Sequence, residues 1–161
     1  MEVAAAGFGL VEGAARVCSQ AWRLTNLWTE APHELHQLRD SLERTATFFK
    51  LVPPCLEEVS RVEPGELRLQ LMAEAEGLCT HGKGVIEGIG QLLRTIEKPP
   101  LNGTPLQGLP KRRRHIWMLR KQEAQRLHQE LLQTKSDLSN LLMILNLSVF
   151  SRYPCWPVWS G

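Results

Sequence analysis

Thiols and imidazoles are the side chains here that could do chemistry unaided, and their spacing argues against it. The four Cys stand at 18, 55, 79 and 155 with no CxxC pair, the usage of free thiols in a reducing cytosol rather than of a disulfide framework. His33 and His36 share a helix face at i, i+3, but no nearby Cys or second His pair completes a zinc set, so surface histidines are expected. Cys79 and His81 diverge on any helix, and Cys55 has no base partner close in sequence. The "GKG" at 82–84, with Gly77 five residues before Gly82, has Gly84 where a phosphate loop needs its hydroxyl residue, and it is discounted. HExxH, GxGxxG and GxSxG do not occur. No catalytic residue, metal ligand or cofactor site is expected, and the chain is read as working by association.

The dense charge lies in "KRRRHIWMLRK", residues 111–121, where Lys111, Arg112, Arg113, Arg114, Arg120 and Lys121 supply six cations with no acid among them. Three roles compete for it. A solvated helix start is the simplest, although cations at a helix N-terminus oppose the helix dipole. Contact with nucleic acid would need a reading motif or stacking platform, and none accompanies the run. Attraction to anionic lipid headgroups is worth about 1 kcal/mol per residue near a surface. Trp117, inside the run, is expected to pack in the core.

The elements that would carry these residues are helical. In the first segment Leu10, Ala14, Val17, Ala21, Leu24 and Trp28 recur at alternating intervals of 4 and 3, one apolar stripe. The second opens after Thr29, expected as N-cap, with Pro32 in its first turn and a stripe of Leu35, Leu38, Leu42, Thr45, Phe49 and Val52. Pro53-Pro54 should break it, leaving a short turn with Leu56 and Val59. After Pro64-Gly65 the third stripe is Leu67, Leu71, Ala75, Leu78, Gly82, Val85, Ile89, Leu92 and Ile96. Gly77, Gly82, Gly84, Gly88 and Gly90 lie inside it, each costing about 1 kcal/mol against Ala. Close helix–helix approach, or a segment able to rearrange, would account for them.

"KPPLNGTPLQGLP", residues 98–110, is a loop. From Lys111 to about Leu147, Trp117, Ala124, Leu131, Leu138 and Leu145 fall every seven residues with Leu127 and Leu141 between, a seam that Arg120 and Thr134 weaken. Residues 151–161, "SRYPCWPVWSG", form an irregular tail with Tyr153, Trp156 and Trp159, either packed down or sticky. No alternating strand pattern of useful length occurs. The expected fold is therefore all-α: over residues 1–150, a helical bundle of about four long helices, with an N-terminal amphipathic helix.

Composition agrees. The chain has 161 residues, 43% apolar and 22% charged, one domain long enough to bury a core. A net charge of +2 is too small to mark a nucleic-acid binder. The opening segment resembles neither a signal peptide, since no Lys or Arg precedes Arg16, nor a membrane span, since Glu12, Arg16 and Arg23 interrupt it.

Three stretches in order carry a family resemblance: the Gly7–Ala14 opening Gly-Phe-Gly-Leu-Val-Glu-Gly-Ala, the second-helix run "LRDSLERTATFFKLV", and the long basic-headed "KRRRHIWMLRKQEAQRLHQELLQTKSDLSNLLMILNL". Over residues 3 to about 149 this order resembles the N-terminal domains of fungal STAND and NLR-like proteins, the HeLo, HeLo-like and SesA group. Plant NLR coiled-coil domains and the executioner bundle of animal necroptosis are similar in architecture. The resemblance implies a cell-death or innate-immune signalling domain without cofactor, cytoplasmic at rest and moving to the membrane on activation. Its implied partners are further copies of itself, anionic lipids and an NLR-like nucleotide-binding protein. Its membrane element would be residues 3–28, with Gly7, Phe8, Gly9, Leu10 and Val11 at the tip and Ala14 behind them. SesA-type relatives imply instead an adaptor that binds a partner's helices. On the membrane reading, Leu10→Glu is expected to abolish lipid activity and spare nucleic-acid binding.

Overall fold

The computed structural model describes residues 2–61, 65–98 and 109–150, the side chains of 2, 3, 109, 110 and 147–150 excepted. Five helices occupy them: α1 (Glu2–Leu27), α2 (His33–Phe49), α3 (Val52–Ser60), α4 (Glu66–Glu97) and α5 (Leu109–Phe150). No strand occurs among the described residues. The fold is a helical bundle of four long helices, with α3 as a short closing turn.

Each stripe becomes an inner face. Leu10, Ala14, Val17, Ala21, Leu24 and Trp28 are all buried, as are Leu35, Leu38, Leu42, Thr45, Phe49 and Val52. On α5 the seam residues Trp117, Ala124, Leu127, Leu131, Leu138, Leu141 and Leu145 are buried too. Fully burying one such leucine stabilises the fold by about 1.5–3 kcal/mol. Of the third stripe, Leu67 is exposed and Leu71 and Leu78 only half-buried; α4 turns Cys79, Ile86 and Leu93 inward instead.

Named contacts set the directions. Leu10 meets Gly82, Val17 meets Gly90, and Arg23 pairs with Glu97, so α1 and α4 run parallel. Gly82 meets Thr134 and Gly88 meets Leu127, so α5 is antiparallel to α4. The Arg39 guanidinium lies 4.1 Å from the Trp22 ring centroid, and α2 returns along α1. Glu34 pairs with Lys121, and Lys135 lies over Phe48, so α2 and α5 run parallel. Round the bundle the order is α1, α2, α5, α4, with the most extensive interfaces between α1 and α4 and between α4 and α5. The α3 helix closes the end where Gly7 abuts Pro53.

Close approach accounts for three of the glycines. A Cβ on Gly82 would lie 3.0 Å from Thr134 Cγ2 and 3.1 Å from Leu10 Cδ1. One on Gly90 would lie 3.0 Å from Val17 Cγ2, and one on Gly88 3.1 Å from Leu127 Cδ2. Gly77 and Gly84 have no such neighbour within 4 Å, and nothing in the structure explains them.

Some boundaries differ from expectation. Pro32, not Thr29, holds the N-cap position of α2, with no side-chain cap. Thr29 sits in the turn that Ala31 closes by donating to the Trp28 carbonyl. Pro53 and Pro54 do not simply break a helix: they open α3 at its first positions, where a missing N–H is harmless. Helix α5 starts at Leu109, inside the expected loop. The rest of that loop, residues 99–108, and the tail with Tyr153, Trp156 and Trp159 lie outside the described residues.

Candidate functional site

The membrane tip expected from the sequence is not a free surface in this structure. Leu10 is 0% exposed, Ala14 and Gly7 are buried, and Val11 and Gly9 are half-buried. Of the six, Phe8 alone projects into solvent, at 56% exposure. The sequence expectation for Leu10→Glu is corrected accordingly. A carboxylate there would be buried against α4 without a partner, which costs several kcal/mol and breaks the bundle rather than a lipid contact. Phe8→Glu probes the same tip without entering the core.

The structure separates this tip from the basic run. Gly7 lies at the α3 end, whereas Arg113 Nη1 donates to the Leu27 carbonyl at the far end of α1, about 30 Å away at 1.5 Å per helical residue. The expected membrane tip and the basic run therefore sit at opposite ends of the bundle.

Packing also divides the basic run. Arg112 Nη1 donates to the Lys98 carbonyl at 3.2 Å, and Arg113 to that of Leu27 at 3.5 Å. These are terminal carbonyls of α4 and α1, the negative ends of two parallel helix dipoles. The cations that oppose the dipole of α5 thus complement those of its two neighbours. Arg120 is exposed despite its seam register and pairs with Glu123 at 2.9 Å, while Lys121 crosses to Glu34 on α2. The Lys121 ammonium, hydrogen-bonded to it, holds the Glu34 carboxyl below its usual range. Lys111 and Arg114 are exposed and have no ion pair among the described residues.

Between α2 and α5 lies a cleft of about 360 Å³ lined by Glu34, Gln37, Leu38, Trp117, Ala124, Gln125, His128 and Gln129. It is the bundle's polar seam. Trp117 Nε1 and His128 Nε2 are buried beneath it, without a hydrogen-bond partner among the described residues. Burial lowers the His128 pKa. Sequence spacing carries no signal for this seam, because α2 and α5 are far apart in the chain.

Thiol chemistry finds no support. Burial raises all three described thiols, Cys79 to about 11, with Glu43, Glu58 and Glu76 adding to Cys18, Cys55 and Cys79 respectively. Cys79 is buried while His81 is exposed, so they do not converge. Among the described residues no three of His, Cys, Asp and Glu gather where a metal ion could be held. Comparison with protein-family models, with curated proteins and with solved structures finds no match.

Proposed function

We propose that the chain is a helical signalling bundle whose first helix is its working element, held in the core at rest and released on activation to drive self-association at an anionic membrane. The observation that carries this is the placement of α1: its whole apolar stripe, Leu10 to Leu24, is committed to the core, beside glycines of α4. Releasing such a helix exposes a continuous apolar face on α1 and a complementary groove along α4. Both would demand a new partner, lipid or another copy. The resemblance to HeLo-type domains supports the same reading.

Locking α1 tests it. Gly90 and Val17 lie close enough to place introduced Cβ atoms no more than about 4.5 Å apart, within disulfide range. The double variant Val17→Cys/Gly90→Cys should release dye from phosphatidylserine-containing vesicles when reduced and fail when oxidised. The wild-type chain treated with the same oxidant controls for its own thiols. Equal leakage in both redox states would refute release of α1.

A second reading, a non-lytic adaptor that binds other helices, is favoured by one observation. No helix among the described residues is long and apolar enough to cross a membrane. Absence of leakage from a folded chain that self-associates would select it.

A further inference from the structure

We infer that the outer face of the first three turns of α5 is a docking surface for anionic lipid headgroups, and that docking there does not require release of α1. The inference rests on the membrane reading above and deepens it by naming where the surface is met.

The i, i+3, i+4 register lines Lys111, Arg114, His115, Met118 and Leu119 along one face of α5 beside the Trp117 seam, and every one of them is exposed. Met118 and Leu119 are 66% and 70% exposed, large apolar side chains that lie outside the core formed by the described residues. They follow Arg114 and His115 at i+4, so each apolar group stands one turn from a charged or titratable one. No carboxylate occurs on α5 before Glu123, which is tied to Arg120. Two carboxylates at this end are engaged, Glu97 by Arg23 and Glu34 by Lys121, while Glu30 in the α1–α2 turn is exposed. The adjoining C-terminal end of α4 adds exposed Arg94 and Lys98.

Free cations beside exposed apolar side chains, with no carboxylate on their own face of α5, fit a lipid interface: the ammonium and guanidinium groups meet headgroup phosphates while Met118 and Leu119 enter the acyl boundary. A nucleic-acid backbone would use the cations and leave Met118 and Leu119 without a role.

The test is co-sedimentation of the full chain with phosphatidylcholine vesicles, with and without phosphatidylserine, with a short DNA duplex as a separate probe. Binding should require phosphatidylserine and weaken with salt. Lys111→Gln/Arg114→Gln should lower it about thirtyfold, two charges at about 1 kcal/mol each. This pair spares Arg112 and Arg113, which hold helix ends, so circular dichroism and melting should match the wild type. Met118→Ser/Leu119→Ser should weaken binding with its salt dependence intact. Equal binding to both vesicle types, or binding indifferent to either variant, would overturn the inference. So would tight duplex binding that depends on Lys111 and Arg114 but not on Met118 and Leu119. The outcomes also separate the two proposals. Docking without leakage refutes release of α1 alone, and leakage without this face refutes the docking surface alone.

Discussion

Gly82 sits where two helices converge on a third, and its neighbours cannot yield. Thr134 is β-branched and its hydroxyl donates to the Glu130 carbonyl at 2.8 Å, which fixes its methyl group toward α4. Leu10, on the other side, is fully buried. Gly82→Ala is therefore expected to destabilise the bundle by about 1–2 kcal/mol, overpacking outweighing the gain in helix propensity. Gly84→Ala, two residues away in open space, should stabilise by up to about 1 kcal/mol. Urea melts of the pair decide it, and a gain from both would show that the α1–α4–α5 junction has slack. His128 makes a second residue-scale prediction. Its pKa is lower in the folded chain than the 6.5 of the open chain. Above 6.5 both states are neutral and the residue is neutral toward stability. As pH falls below 6.5 the unfolded chain takes up the proton first, so stability is lost as pH drops toward the folded value. Unfolding free energies at neutral and mildly acidic pH should diverge, and His128→Gln should reduce the divergence.

At the scale of the element, the two faces of α2 differ. It buries Leu35, Leu38, Leu42 and Phe49 in the core, but Glu34 and Gln37 join Leu38 in lining the polar cleft it shares with α5. The α4 helix buries apolar residues, including Ile86, Ile89 and Leu93. Amide hydrogens in the first two turns of α2 should thus exchange well before those of residues 85–96, in native-state exchange followed by mass spectrometry. Equal protection would mean that the polar seam closes as firmly as the apolar ones. The helices themselves were legible because a 3.6-residue period is a local signal, and the stripes on α1, α2 and α5 became the buried faces. The engagement of Arg112 and Arg113 was not legible. Their carbonyl partners lie 14 and 86 residues away, and nothing in the spacing of "KRRR" announces two helix ends waiting beside it.

Across the whole molecule, the arrangement of the four long helices separates the two stretches that the sequence offered as lipid contacts. The Gly7–Val11 segment and the cations at 111–121 are held apart by the length of α1. Composition foretold an apolar core and periodicity foretold its faces. Which end of the bundle each polar residue occupies depends on chain direction in three dimensions, which a single sequence does not encode locally. The parallel pairing of α1 with α4 also has a consequence in time. The ion pair that marks this interface, Arg23 with Glu97, joins residues 74 positions apart. At about 5–20 residues per second, a ribosome needs roughly 4–15 s to add them. For that interval the apolar stripe of α1 is already made and has no α4 to rest on, so during synthesis the protein passes through a state in which its first helix looks for company.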